Sequence, residues 1–145
     1  RKNKTNLLKV VVVAGVDKKE KEYQQMTGLL NLFNKVSNIE IYLVGLTHDK
    51  SKYTFDLYKK RPFNNFVNKL TYTETIKVIC GADIVIGPEG SLIHISSTLK
   101  IPTVVIEAEE SFWKYSAFSE KNDIKLFPKD TKPDYIYRET LRILN

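Results

Sequence analysis

Residues 80–106, CGADIVIGPEGSLIHISSTLKIPTVVI, constrain the fold more than any other part of this chain. The pattern predicts a buried strand over 83–86, a tight Gly87-Pro88-Glu89-Gly90 turn, a helix of small residues over 91–99 and a second buried strand over 103–106. Two short apolar strands joined through a helix form a β-turn-α-β unit, the connection that parallel pairing needs. A turn that leads from the carboxyl end of such a strand into a helix brings backbone N–H groups and the positive end of the helix dipole to one place. That place suits an anion, most often a phosphate.

The rest of the chain repeats the same rhythm. Residues 7–14 form an unbroken aliphatic run, which suits a strand covered on both faces, and Gly15 ends it. Met26, Leu29, Leu30 and Phe33 stand at helical spacing within an amphipathic helix predicted over 22–36. A strand follows at 39–44, closed by Gly45, then a Thr47-His48-Asp49 loop and a helix over 51–60. A short strand is expected at 62–65, followed by a helix opened by Thr71 with Glu74 three residues on, the pattern of a capping box. After residue 106 come a polar and aromatic segment over 107–119, a strand at 124–127 and a closing helix over 133–144. Pro133 starts that helix, and Arg138 and Arg142 fall on its outer face. The expected fold is α/β, a Rossmann-like three-layer domain with a mostly parallel sheet, spanning 1–145 as one unit.

Composition narrows the classes. With 145 residues, 42% hydrophobic, the chain has the material for one core of ordinary size. The single cysteine, Cys80, excludes an internal disulfide framework and is expected to be a small buried hydrophobe. The net charge of +6 comes from lysines interleaved with acids, as in DKKEKE at 17–22, which describes a solvated surface and not a nucleic-acid interface. No apolar run approaches the roughly 20 residues of a membrane span. These features lead us to expect a cytoplasmic domain without nucleic-acid partners, with weak attraction to phosphate-bearing ligands or an anionic membrane surface. The chain begins at Arg1 without a methionine and enters its first strand almost at once, so a preceding portion is expected.

In a parallel sheet the ligand loops follow the carboxyl ends of the strands, here 15–21, 45–50, 67–71, 87–94 and 107–115. The segment Gly87-Pro88-Glu89-Gly90-Ser91 fits neither the dinucleotide fingerprint nor the phosphate-binding loop of NTPases. It also lacks the flanking glycines of a hydrolase nucleophile elbow around Ser91. His48 and His94 have no ligand-spaced companions, so no tightly held metal and no cofactor are expected. What remains is a carboxylate (Glu89), accessible backbone at Gly90 and Ser91, the Ser91 hydroxyl, and His94 three residues on along the same helix face. Such a set can hold a diphosphate and an adjoining sugar. Alternatively, Glu89 and Ser91 only cap the helix and His94 is a polar residue near its start.

The order of Lys69-Leu70-Thr71, a helix, AlaAspIleValIle at 82–86, Gly87 to Ser91, Leu92-Ile93-His94, a small-residue helix and IleProThrValValIle at 101–106 resembles the donor-binding half of GT-B glycosyltransferases. The likeness is strongest to the heptosyltransferase-like glycosyltransferase family 9, whose signature is a strand, Asp-Ser/Thr-Gly, two residues and His. The resemblance implies that Glu89 stands for the family's Asp, that Gly90 and Ser91 stand for its Ser/Thr-Gly, and that His94 matches directly. It further implies that Leu70 covers the nucleotide base, that Lys19 or Lys21 binds phosphate, and that Thr47 stands where an acidic residue would hold the ribose. A second resemblance, to the family 61 glycosyltransferases, rests on residues 82–90 and 105–107.

These likenesses imply an inverting GT-B transferase that moves a sugar from a nucleotide-diphosphate sugar to a surface-glycan, lipopolysaccharide-type or lipid-linked acceptor. Peripheral membrane association at the inner face would follow. The acceptor-activating base is implied on an N-terminal half that this chain lacks, which leaves the chain poorly active alone. Phe112, Trp113, Tyr115 and Phe118 fall where the family has a loop over the donor, or form a packed support for the last helix. The competing class is a non-catalytic Rossmann-like module that binds nucleotides or proteins.

Overall fold

Short β-branched runs cannot bury both faces alone, and here they pair into one sheet. The computed structural model describes residues 7–14, 26–45, 64–88, 90–106, 124–128 and 130–145. In chain order these form β1 (Leu8–Val13), α1 (Met26–Asn34), β2 (Ile39–Val44), β3 (Asn64–Asn65), α2 (Tyr72–Cys80), β4 (Ile84–Pro88), α3 (Ser91–Thr98), β5 (Thr103–Ile106), β6 (Ile124–Phe127) and α4 (Pro133–Leu144). The strand order is β3-β2-β1-β4-β5-β6, and every pairing among the described strands is parallel. The domain is therefore a Rossmann-like α/β fold, and its sheet is more uniform than the mostly parallel one expected. The order reverses between β1 and β4, which puts the switch point of the sheet beside the carboxyl end of β4.

The period of two along each strand splits the core into two apolar layers. Val10, Val12, Ile41, Leu43, Ile84, Ile86, Val104 and Ile106 face α1 and α4, where Leu29, Leu30, Phe33 and Ile136 complete the layer. Val11, Val13, Val44, Val85 and Val105 face the opposite way, toward Ile79 of α2 and Ile93 of α3. Helices, sheet and helices thus make three layers, with α1 and α4 on one face and α2 and α3 side by side on the other. The small residues of α3 let it lie close to β5, and the buried hydroxyls of Ser96 and Thr103 satisfy each other at 2.8 Å.

Two sequence expectations change. Cys80 is exposed and not a core residue. It ends α2 one position past the fully buried Ile79, and a single helical step of about 100° turns it out of the apolar stripe. Strand β4 also runs two residues beyond the predicted 83–86, through Gly87 and Pro88, which pair with Val105 and Ile106. Its pairing with β1 ends at Ile86, so Pro88, which has no N–H, has a strand neighbour on one side only. The helix expected at 51–60 and the segment 107–119 lie outside the described residues. No helix among the described residues is long and apolar enough to cross a membrane.

Asp83 acquires a role that composition does not show. Its backbone N–H donates to Lys9 O at 2.9 Å while its Oδ2 accepts from Lys9 N at 2.8 Å. A buried carboxylate thereby ties the amino ends of β1 and β4 across 74 residues of chain. It stands at the edge of the sheet opposite the ligand loops. On the α2 face of β2, the Tyr42 hydroxyl donates to Glu40 at 2.7 Å and its ring stacks on Phe66. Burial, and then the Glu40 bond, push the Tyr42 hydroxyl up to about 12.

Candidate functional site at the carboxyl edge

The site begins where β4 gives way to α3. Gly87 lets β4 lie against β1, because a Cβ there would sit 2.7 Å from Val13 Cβ and 3.1 Å from Val13 O. The chain then turns, and Gly90 caps α3 with an extended backbone (φ 175°) that any residue adopts. There is room around it: among the described residues, its chain neighbours aside, a Cβ on Gly90 would meet no heavy atom within 4 Å. The first helical bond runs from His94 N to Gly90 O at 3.0 Å. The N–H groups of Ser91, Leu92 and Ile93 therefore precede the helical ladder and point out of the helix start. Ser91 is exposed at that start.

The neighbouring helix start is closed. Thr71 Oγ1 accepts from Glu74 N at 3.1 Å, and Glu74 Oε1 accepts from Thr71 N at 2.8 Å, which completes the capping box the sequence announced. The Thr71 N–H, followed by the Thr71 side chain, holds the Glu74 carboxyl below its usual range. A carboxyl with a depressed folded pKa contributes stability that is full above its ordinary range and is lost as pH falls through the folded value. Thr71→Ala is expected to cost about 1 kcal/mol in urea unfolding at neutral pH. Wild type should exceed Glu74→Gln in stability at pH 7 and converge with it in acid; a constant gap down to pH 2–3 would contradict this account. For ligand binding, the contrast between the helices matters more. The start of α2 carries the Glu74 carboxylate, while α3 starts at Gly90 and an exposed serine, with the Glu89 carboxylate just before them in sequence.

Of the residues singled out from sequence, the structure places four. Gly90 and Ser91 form the α3 start, and His94 is half-buried one turn on. The outward side of α3 carries Ser91, His94 and Thr98, since Ile93, Ser96 and Ser97 are buried. The His94 carbonyl accepts from Ser97 Oγ at 3.0 Å and Thr98 Oγ1 at 2.8 Å, so its backbone is fixed by the helix itself. Leu70 is half-buried against the α2–α3 layer, so at least part of its side chain serves packing. Glu89, Lys19, Lys21 and Thr47 lie outside the described residues, as do Phe112, Trp113, Tyr115 and Phe118. Among the described residues no group of His, Cys, Asp and Glu is arranged to hold a metal ion.

Sequence reasoning passed over the two close approaches at this edge. Gly45 has φ +122°, and a Cβ on it would come within 2.2 Å of Ala14 O. Its own carbonyl accepts from Asn68 N at 2.9 Å, which draws the 67–71 turn to the end of β2. Glycine at or next to a strand end is the available signal for such approaches, and Gly87 shows the same one within a strand.

No protein-family model matches this sequence, and no curated protein matches it significantly. Solved structures do match in shape. The ADP-heptose LPS heptosyltransferase II of E. coli superposes with a TM-score of 0.77 at 12% identity, covering 97% of this chain and 47% of that one. The wall teichoic acid polymerase TagF, in a structure soaked with CDPG, superposes with a TM-score of 0.52 at 11% identity, covering 97% of this chain and 35% of that one. The chain thus spans about half, or less, of the length of these proteins. At such identities the likeness is one of fold: this chain carries the Rossmann-like α/β fold found in about half of that heptosyltransferase.

Proposed function

We propose that this chain is the donor-binding half of an inverting GT-B glycosyltransferase, and that it holds the diphosphate of a nucleotide-diphosphate sugar at the start of α3. The observation that carries the proposal is the α3 start, which has no side-chain cap and, among the described residues, only its chain neighbours close in front of Gly90, at the carboxyl edge of a sheet whose described pairings are all parallel. The dipole and N–H groups there favour the negative charge that builds on a departing nucleoside diphosphate. Lys19 or Lys21, in the loop after β1, would add a cation, and Glu89, Ser91 and His94 would meet the sugar and the adjoining phosphate. Thr47 would lie near the ribose and Leu70 near the base. The base that activates the acceptor would come from an N-terminal half, with the acceptor a surface glycan of lipopolysaccharide type or a lipid-linked glycan at the inner face of the membrane. The resemblance drawn from sequence and the shared fold with a protein described by ADP-heptose support this reading.

Titration with ADP, UDP, GDP and CDP, followed by backbone amide shifts, tests it. At least one nucleotide should move the amides of residues 87–94. No movement there with any of them would sink the proposal and leave the non-catalytic module as the better reading. Ser91→Asp sharpens the test, because binding and stability should change in opposite directions. An acid at the first helical position favours the helix by about 0.3–1 kcal/mol. The same charge should weaken nucleoside diphosphate binding roughly tenfold or more.

A further inference from the structure

The helices α1 to α4 all end at the amino edge of the sheet, opposite the ligand loops. Three of them turn straight into a strand, over 35–38, 81–83 and 99–102, so this edge is blunt. Each helix end carries an exposed cation: Lys35 after α1, Lys77 in the last turn of α2, Lys100 after α3 and Arg142 in the last turn of α4. Lys125, the second residue of β6, is exposed as well. The described carboxylates toward this edge are turned inward. Asp83 and Glu139 are buried, and Glu40 is half-buried and holds the Tyr42 hydroxyl. What the described residues of the edge show to solvent is therefore basic.

A cation at a helix carboxyl end offsets the dipole there. That accounts neither for Lys125, which stands on a strand, nor for the apolar surface among the lysines. Leu99 is 46% exposed and Cys80 is exposed. The 2.9 Å bond from Val85 N to Pro102 O holds the 81–83 and 99–102 turns side by side, so the ends of α2 and α3 form one patch. Lys100 has a φ of +62°, in a turn closed by bonds from Lys100 N to Ser97 O at 3.0 Å and from Ile101 N to Ser96 O at 3.1 Å. Glycine is the unstrained residue at that point of a helix end, so a lysine there costs stability.

We propose that the amino edge is a docking surface for an anionic phospholipid bilayer, with Leu99 entering the headgroup layer and Lys77 and Lys100 beside it among the phosphates. A nucleic acid is the less suited polyanion, because the exposed Tyr72 and Tyr135, on which bases could stack, stand at helix starts on the other edge. Docking here leaves the α3 start away from the bilayer and does not depend on what binds at that start.

Co-sedimentation of the full chain with vesicles tests the proposal, using phosphatidylcholine alone and an equimolar mixture with phosphatidylglycerol. Wild type should bind the mixed vesicles, leave the neutral ones in solution and lose binding as salt rises. Lys77→Gln and Lys100→Gly should each weaken binding about fivefold, and Leu99→Ser about threefold or more. Lys100→Gly should also raise the thermal midpoint, so its lost binding cannot come from damage to the fold. Lys132→Gln, the same change of charge at the exposed start of α4, should bind as wild type does. Equal partition of wild type to both vesicles would overturn the proposal. An equal loss in Lys132→Gln and Lys77→Gln would do so too, by reducing the effect to net charge. Displacement from the mixed vesicles by a single-stranded oligonucleotide at lower charge concentration than the lipid would assign the edge to nucleic acid instead.

Discussion

Phe33→Ala is expected to lower the folding free energy by about 3–5 kcal/mol, read as a fall in the urea midpoint without a change in slope. Phe33 is fully buried in α1, within the apolar layer that joins α1 and α4 to the sheet. Its ring meets Tyr137 of α4 edge to face, with centroids 5.4 Å apart and planes at 61°. Truncation removes the transfer energy of the ring, leaves a cavity and breaks this aromatic pair, which alone contributes about 0.5–1.5 kcal/mol. A domain of this size holds only about 5–15 kcal/mol in all, so the variant should be partly unfolded at modest urea. Loss of less than about 1 kcal/mol would mean that α1 and α4 can close on the space, contrary to the tight packing seen here.

Gly45→Ala should be nearly as damaging, for a different reason. The added methyl group would lie 2.2 Å from the backbone oxygen of Ala14, and a φ of +122° is strained for any residue with a Cβ. Neither obstacle is a side chain that can swing away. Relief requires the carboxyl end of β2 to separate from β1, against the 2.9 Å bond from Ala14 N to Val44 O. We expect a cost of about 3 kcal/mol or more, seen as a thermal midpoint lowered by about 10 °C. The 67–71 turn hangs from Gly45 O through Asn68 N, so the substitution should loosen that turn as well. A Gly45→Ala variant with wild-type stability would contradict the packing described at this edge.

Much of the architecture was legible because it is local. The run at 39–44 is a strand with those same bounds, and so is 103–106, since β-branched residues between turn formers allow little else. Thr71 and Glu74 announced a capping box three residues apart, and both of its bonds are present. Pro133 opens α4 as its fixed φ favours. Cys80 went the other way, because an apolar helix end predicts burial only if the helix turn is known to within one residue. The extension of β4 through Pro88 was hidden for a similar reason: Gly-Pro reads as a turn until a strand beside it, β5, continues far enough to pair.

The start of α3 shows the same division. Its existence and its residues, Gly90, Ser91 and His94, follow from the turn and helix signals. That it lies beside the self-capped start of α2 depends on how the two helices lie together on one face of the sheet. Sequence alone determined the parallel α/β class, the alternation of elements and the capping box of α2, because each arises from interactions within a few residues. Only the tertiary structure decided the strand order, the Asp83 link to Lys9, the backbone approaches at Gly45 and Gly87, and that the starts of α2 and α3 share one face of the sheet. Those rest on contacts between residues far apart in the chain, whose geometry no local pattern encodes.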